Sequence, residues 1–280
     1  MGGGSGGSAP NVPGAPVPAP AVDAAEARAS LPRLVKDLFA FDLRTLVICV
    51  WVPVALTLME YCFLPSALES TRAPEWAGRA VSGLMRWFPT VPYGLWRWIW
   101  WVLGCMSLGL VIPMALLKVL TGVGPRATGL RLKGTGHDAI VYGILLAVFL
   151  PVVWWASTRG DFRSTYPFYK PAGRGPVGID FVAFEAIYFL QFLFIEWFFR
   201  GFMVLGLKPK LGRASILVML APYCMIHFHK PLLEALGAIG AGAVLGTLSY
   251  RTGTIVYGWF LHYAVALTMD LLSLHQMGRL

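Results

Sequence analysis

Residues 178–206 form a predominantly apolar stretch too long for an ordinary strand or a soluble core helix, and within it runs Phe192-Leu193-Phe194-Ile195-Glu196-Trp197-Phe198-Phe199-Arg200-Gly201-Phe202. A stretch of that length matches a helix crossing a bilayer, where backbone polar groups must be satisfied within the segment itself. Two ionisable groups interrupt it. Charged side chains at bilayer depth cost roughly 3 kcal/mol or more, so they persist where they face a helix bundle or a wet cavity. Glu196 and Arg200 stand four residues apart, project to the same side of a helix and can pair, which lowers that cost.

With 57% hydrophobic residues, 13% charged residues and a mean hydropathy of +0.65, the chain lies outside the composition of soluble domains of 280 residues. It reads as an integral membrane protein. Further apolar stretches near 43–65, 94–117, 139–157, 214–229, 232–250 and 253–274 predict an all-α fold, a polytopic transmembrane bundle of about seven to eight helices with an internal polar cavity. The stretch at 214–229 is short for a full crossing, and that at 178–206 is long enough to tilt or project beyond the bilayer. Residues 74–89 mix Trp76, Leu84 and Met85 with Arg79 and Arg86 and predict an interfacial amphipathic helix.

A net charge of +9 raises the question of nucleic acid, but the basic residues are spread over most loops instead of forming one stripe. The expected partner of these charges is the lipid bilayer, and no nucleic acid. Arg28, Arg33, Lys36 and Arg44, then Lys118, Arg126, Arg131 and Lys133, then Lys208, Lys210 and Arg213 fall on one side if the N-terminus is cytoplasmic. Arg72, Arg79, Arg86, Arg159, Arg163, Lys170 and Arg174 lie on the opposite loops, so the bias is small. The expected location is a bacterial inner (plasma) membrane.

Residues 1–22 combine a Gly/Ser run with Ala-Pro and Val-Pro repeats and predict a disordered tail, the first eight residues having the composition of an added linker. Residues 23–42 read as a juxtamembrane amphipathic segment interrupted by Pro32, and 43–280 as the transmembrane domain. No charged n-region followed by an apolar h-region opens the chain, so the first span is expected to act as the targeting signal. Cys49, Cys62, Cys105 and Cys224 lie in apolar runs without CxxC spacing and are expected to pack, not to bridge. Ala238, Gly242 and Gly246 recur every four residues and predict a helix that neighbouring backbones approach closely, central between the helices of His227 and His262.

Those histidines complete the intramembrane set. His227 lies in Tyr223-Cys224-Met225-Ile226-His227, with His229 and Lys230 toward the interface; His262 lies in Phe260-Leu261-His262-Tyr263, with Asp270 two turns on. Glu185, eleven residues before Glu196, is either a second carboxylate on the same side or an interfacial residue. Core packing alone supplies no reason for so many titratable groups on three helices.

The residues from about 125 to 275 resemble the CAAX-protease and bacteriocin-processing (CPBP) intramembrane proteases. Glu196-xxx-Arg200-Gly201-Phe202 is similar to the second half of the family's EExxxR motif, Tyr223-xxx-His227 to its FxxxH, and Gly242 to Leu248 with Arg251-Thr252-Gly253-Thr254 to its glycine-rich helix and turn. His262 stands at the histidine of HxxxN. The resemblance implies a helical bundle with a wet cavity, peptide-bond hydrolysis, no cofactor, and Glu196, Arg200, His227 and His262 as catalytic residues. The chain departs from the pattern at Ile195, where the family has its first glutamate, and at Ala266, where it has asparagine.

On this reading Glu196, set by Arg200, takes a proton from water together with His227, and His262 polarises the tetrahedral oxygen. Tyr223, Tyr263 and Asp270 are supporting residues, with Asp270 orienting His262. The alternative within the class is zinc held by Glu196, His227 and His262. The expected substrate is a membrane-anchored protein or peptide. The competing classes are an inactive CPBP-like scaffold or immunity protein, suggested by Ile195 and Ala266, and a proton-coupled transporter, for which matched broken helices are missing.

Overall fold

The computed structural model describes residues 30–38, 40–70, 72–132, 136–171 and 177–280. The tail expected over 1–22, and residues 23–29 of the juxtamembrane segment, lie outside the described residues. The chain divides between Phe41 and Asp42. Among the described residues before that point stands one short helix, α1 (Leu31–Leu38), with Lys36 in its last turn. Pro32 falls in its first turn, where a missing N–H leaves no intrahelical bond unmade, so the proline opens the helix and does not interrupt it.

From Asp42 onward the described chain is built of helices. Asp42 caps α2 (Leu43–Phe63) by accepting a hydrogen bond from the Thr45 amide at 3.0 Å. That bond holds its carboxyl below the ordinary aspartate range. α3 (Glu75–Trp87) occupies the predicted interfacial segment and buries Ala77 and Val81 against Trp96 and Trp100 of the following helix. α4 (Tyr93–Thr121), α5 (His137–Ser157), α6 (Ile179–Leu211) and α8 (Leu232–Thr252), with α2, are long and apolar enough to cross a membrane. Between α6 and α8 lies α7 (Ala214–Met225), too short for a full crossing; α9 (Val256–Gln276) ends the bundle and is less apolar because it carries His262, Asp270 and His275. All seven predicted runs are therefore helical, while five described helices meet both the length and the hydropathy of a span. The protein is an integral membrane protein of polytopic helical architecture.

α6 is the centre. In its most apolar window 56% of the residues are buried within the protein, against 11% for α5, which lies at the edge of the bundle. Phe194, Trp197, Phe198, Phe199 and Phe202 form the main core with Ile48 and Val52 of α2, Leu108 of α4 and Met219 and Tyr223 of α7. The small-residue helix α8 lies against α7 and the second half of α6. Gly242 faces Leu220 and Tyr223, and Gly246 faces Ile216 and Met219, so the expected close approach to the helix preceding His227 is present. The expectation that α8 is central is corrected: α9 packs on α5 and α6 and reaches α8 through Leu261, Leu245 and Tyr142. Bulky aromatic residues, not small ones, fill the middle, because α6 must bury its charges among large side chains.

Three helices widen into π-helical turns, at Met59–Phe63, Ser107–Val111 and Trp197–Leu205. Such turns disturb the regular ladder and free carbonyls. Indoles occupy two of them: Trp100 donates to the Cys62 carbonyl at 2.9 Å and Trp51 to that of Leu108 at 2.8 Å. The connection 122–132 is a packed loop. Arg131 Nε donates to the Gly253 carbonyl (2.8 Å), the Ile255 amide to that of Gly129 (3.1 Å), and Trp197 Nε1 to Thr128 Oγ1 (3.1 Å). The four cysteines are free thiols, with Cys62 and Cys105 buried.

A methyl group at Gly109 would collide with the Phe194 ring, whereas one at Gly143 meets open space. Gly109→Ala is expected to cost about 1–3 kcal/mol by overpacking, and Gly143→Ala to leave stability unchanged or slightly raised. Thermal unfolding in detergent distinguishes them; equal melting temperatures would mean that the α4–α6 contact is loosely packed.

Candidate active site

The site begins where α6 changes pitch. Glu196 closes the α-helical part and Arg200 lies in the π-helical part, both side chains wholly enclosed. Glu196 Oε1 stands 3.2 Å from Arg200 Nη1 and 2.8 Å from His262 Nδ1. Gly258, one turn before His262 on α9, makes this approach possible, since a Cβ there would stand 2.8 Å from Glu196 Oε2. The Arg200 guanidinium lies over the Tyr223 ring of α7, 4.1 Å from its centroid. It is thus held by a carboxylate and a π face, which together offset part of its desolvation.

Tyr223 is the hub on the other side. Its ring centroid is 4.9 Å from that of His227 and 6.4 Å from that of His262. His227 lies in the turn after α7, with Nδ1 2.8 Å from the Tyr223 carbonyl. A carbonyl and an ionised carboxylate only accept, so in both neutral imidazoles Nδ1 carries the proton and Nε2 keeps its lone pair. The two rings are set in the same tautomer by different acceptors.

Two cavities meet at these rings. A cavity of about 240 Å³, walled by apolar residues of α5, α8 and α9, includes Tyr223, Ala266 and Glu234 in its lining. A larger one of about 880 Å³ is bordered by α2, α4, α6 and the turn after α7, and includes Glu60, Arg97, Ile195 and His229. Tyr188, Phe192, His227, Lys230 and His262 line both. Glu196 and Arg200 line neither, so the imidazoles are what the charge pair presents to the cavities.

Of the residues singled out in the sequence, Glu196, Arg200, Tyr223 and His262 form one contact chain. His227 joins it through Tyr223 and makes neither hydrogen bond nor ion pair with Glu196. Asp270 does not reach His262: eight helical residues put about 12 Å between them, and the carboxylate at His262 is Glu196. Asp270 instead lies buried beside Glu185, whose Oε2 accepts from the Tyr263 hydroxyl at 3.3 Å. Tyr263 therefore belongs to that carboxyl pair. Lys230, Glu234 and Tyr166 were not singled out as site residues. The i, i+4 spacing of Lys230 and Glu234 is a legible signal; nothing in the sequence connects Tyr166 to them across 68 positions.

Zinc does not fit the donor set Glu196, His227 and His262. Oε1 of Glu196 is taken by His262 and Arg200, and Oε2 lies against Gly258, which leaves two imidazole nitrogens. Among the described residues no three His, Cys, Asp or Glu side chains gather into a metal-holding group.

The family model for type II CAAX prenyl endopeptidase Rce1-like proteins matches residues 178–268. Over those residues the chain is similar to the CPBP family. The matched third of the chain carries Glu196, Arg200, Tyr223, His227, Gly258 and His262 and stops short of Asp270. Comparison with curated proteins and with solved structures gave no match. The family points to a protease of the CAAX type embedded in the membrane.

Removing the carboxylate tests the electrostatics. Glu196→Ala leaves Arg200 buried without its anion and is expected to cost about 3–5 kcal/mol, whereas the double change Glu196→Gln with Arg200→Met removes both charges and costs less than Glu196→Ala. Thermal unfolding in detergent measures both. A Glu196→Ala curve that overlays the unaltered protein would show that water already reaches the pair.

Proposed function

We propose that this chain is an intramembrane endopeptidase that hydrolyses a peptide bond of a membrane-associated protein or peptide without a metal. The observation that carries the reading is the 2.8 Å contact between Glu196 and His262 at the junction of two cavities. His262 Nε2 takes a proton from water as the water oxygen bonds to the scissile carbonyl carbon. Glu196, kept ionised by Arg200, stabilises the imidazolium that forms. The proton then passes to the amide nitrogen, the C–N bond breaks, and a carboxylic acid and an amine leave. His227, with its lone pair at Nε2, is the second acceptor for the water.

This differs from the roles read from the sequence. There Glu196 takes the proton itself; here both its oxygens are enclosed, so Glu196 and Arg200 are positioning residues and the histidines are the catalytic ones. The smaller, apolar cavity suits an apolar group of the substrate and the larger one its polar chain. We place the protein in a bacterial inner membrane with a cytoplasmic N-terminus. A phosphatase fused to the N-terminus is then expected to stay inactive, and an active fusion reverses the orientation.

The opposing reading is a non-catalytic scaffold, which Ile195 and Ala266 favour because both line a cavity with apolar surface where relatives carry polar groups. A quenched fluorescent peptide ending in farnesyl-Cys and three further residues, the substrate type in the family's name, separates the two. Purified protein is expected to cleave it in the presence of a chelator. Glu196→Gln and His262→Ala each lower kcat by about 10²–10⁴-fold, and the double variant is no worse than the weaker single one because the two act as a unit. No cleavage by the unaltered protein, with cleavage gained by Ile195→Glu plus Ala266→Asn, would establish the scaffold.

A further inference from the structure

The proposed hydrolysis passes through a tetrahedral intermediate whose carbonyl oxygen becomes an anion, and preorganised donors at that point matter more than any other group. Ala266, one turn beyond His262, offers none, and it lines the smaller cavity. The chain must meet that charge another way. Lys230 is the one lysine or arginine among the described residues that lines both cavities. Its backbone amide donates to the His227 carbonyl at 3.0 Å, which ties its position to that of the imidazole.

The ammonium is held with one donor to spare. Lys230 Nζ donates to Glu234 Oε1 at 2.7 Å and to the Tyr166 hydroxyl at 3.3 Å. That hydroxyl in turn donates to the same carboxylate, at 2.7 and 2.8 Å from its two oxygens. The Phe168 ring centroid lies 5.0 Å from Nζ. An ammonium carries three N–H groups; Glu234 and Tyr166 take two. Glu234 also offsets the cation, so the pair is neutral until an oxygen acquires charge in the cavity. The clamp is assembled from a turn, from the start of α8 and from the loop after α5, each anchored separately: Ser273 Oγ of α9 donates to the Tyr166 carbonyl at 2.6 Å.

We infer that Lys230, held by Glu234 and Tyr166, supplies the positive donor that stabilises the oxyanion, in the role for which Ala266 has no group. The inference rests on the proposed protease reading. The nitrogen donates a hydrogen bond without giving up its proton, and the anion collapses back to a carbonyl when the C–N bond breaks.

The test uses the farnesylated peptide and its phosphinate analogue, in which a tetrahedral anionic PO₂ group replaces the scissile amide. Lys230→Met, made together with Glu234→Gln so that no buried charge is stranded, is expected to lower kcat by about 10²–10³-fold with KM within about threefold. The same variant loses affinity for the phosphinate by a similar factor and keeps its affinity for the uncleaved peptide, while Lys230→Arg retains most of both. Binding is read without turnover. Lys230-dependent binding of the phosphinate by a protein that cleaves nothing would uphold the anion site and fault the protease reading. Equal losses for peptide and phosphinate would make Lys230 a ground-state anchor, and unchanged binding of both would make it a structural partner of Glu234; either result overturns the inference.

Discussion

Burying a carboxylate and a guanidinium together inside a membrane helix is the constraint on which the rest of the structure depends. Glu196 and Arg200 expose no surface, and ions removed from water are tolerated only when the geometry around them is excellent. Each neighbour meets part of that demand. The absence of a Cβ at Gly258 lets α9 come up to one carboxylate oxygen, His262 donates to the other, and the Tyr223 ring covers the cation. The wider π-helical turns begin at the residue after Glu196. Such departures from regular helix are concentrated where function requires them.

This arrangement depends on the rotational setting of α9, which is fixed from outside the site. Gly253 turns the chain at φ 69°, a left-handed conformation that suits glycine. The connection 122–132 then grips that turn: Arg131 Nε reaches the Gly253 carbonyl and Thr254 Oγ1 donates to the Arg131 carbonyl, each at 2.8 Å. The start of α9 is therefore set before its third residue, Gly258, brings a backbone against Glu196. This connection acts as the clamp that determines which face of α9, with Gly258 and His262, meets α6.

The charge pair and the cavities are separated by a layer of rings. Phe192, Tyr223 and the two imidazoles stand between Glu196 and the space where a ligand could lie. Such a layer keeps the local dielectric low on one side and admits water or substrate on the other, which strengthens every interaction behind it. Glu185 and Asp270 form a second buried acidic pair on α6 and α9, with the Tyr263 hydroxyl donating to Glu185. It belongs to the packing of those two helices and not to the imidazole pair.

Much of the fold was legible in the sequence because hydropathy and length translate directly into membrane helices: seven predicted runs are helical. The Glu196–Arg200 pair was equally legible, since four-residue spacing dictates a shared face whatever surrounds it. The partner of His262 was not. Spacing along α9 nominated Asp270, which is too far along the helix axis, whereas Glu196 arrives from another helix 66 positions away. Lys230 with Tyr166, and the two cavities meeting at His227 and His262, likewise depend on segments distant in the chain. The sequence by itself determined which segments are helical, which charges are buried and which of them share a face, because those follow from local periodicity and the cost of desolvation. Which donor meets which acceptor, and which side faces a cavity, was decided only in the tertiary structure, because helix rotation and the Gly253 and Gly258 contacts are set by packing between segments that sequence spacing cannot relate.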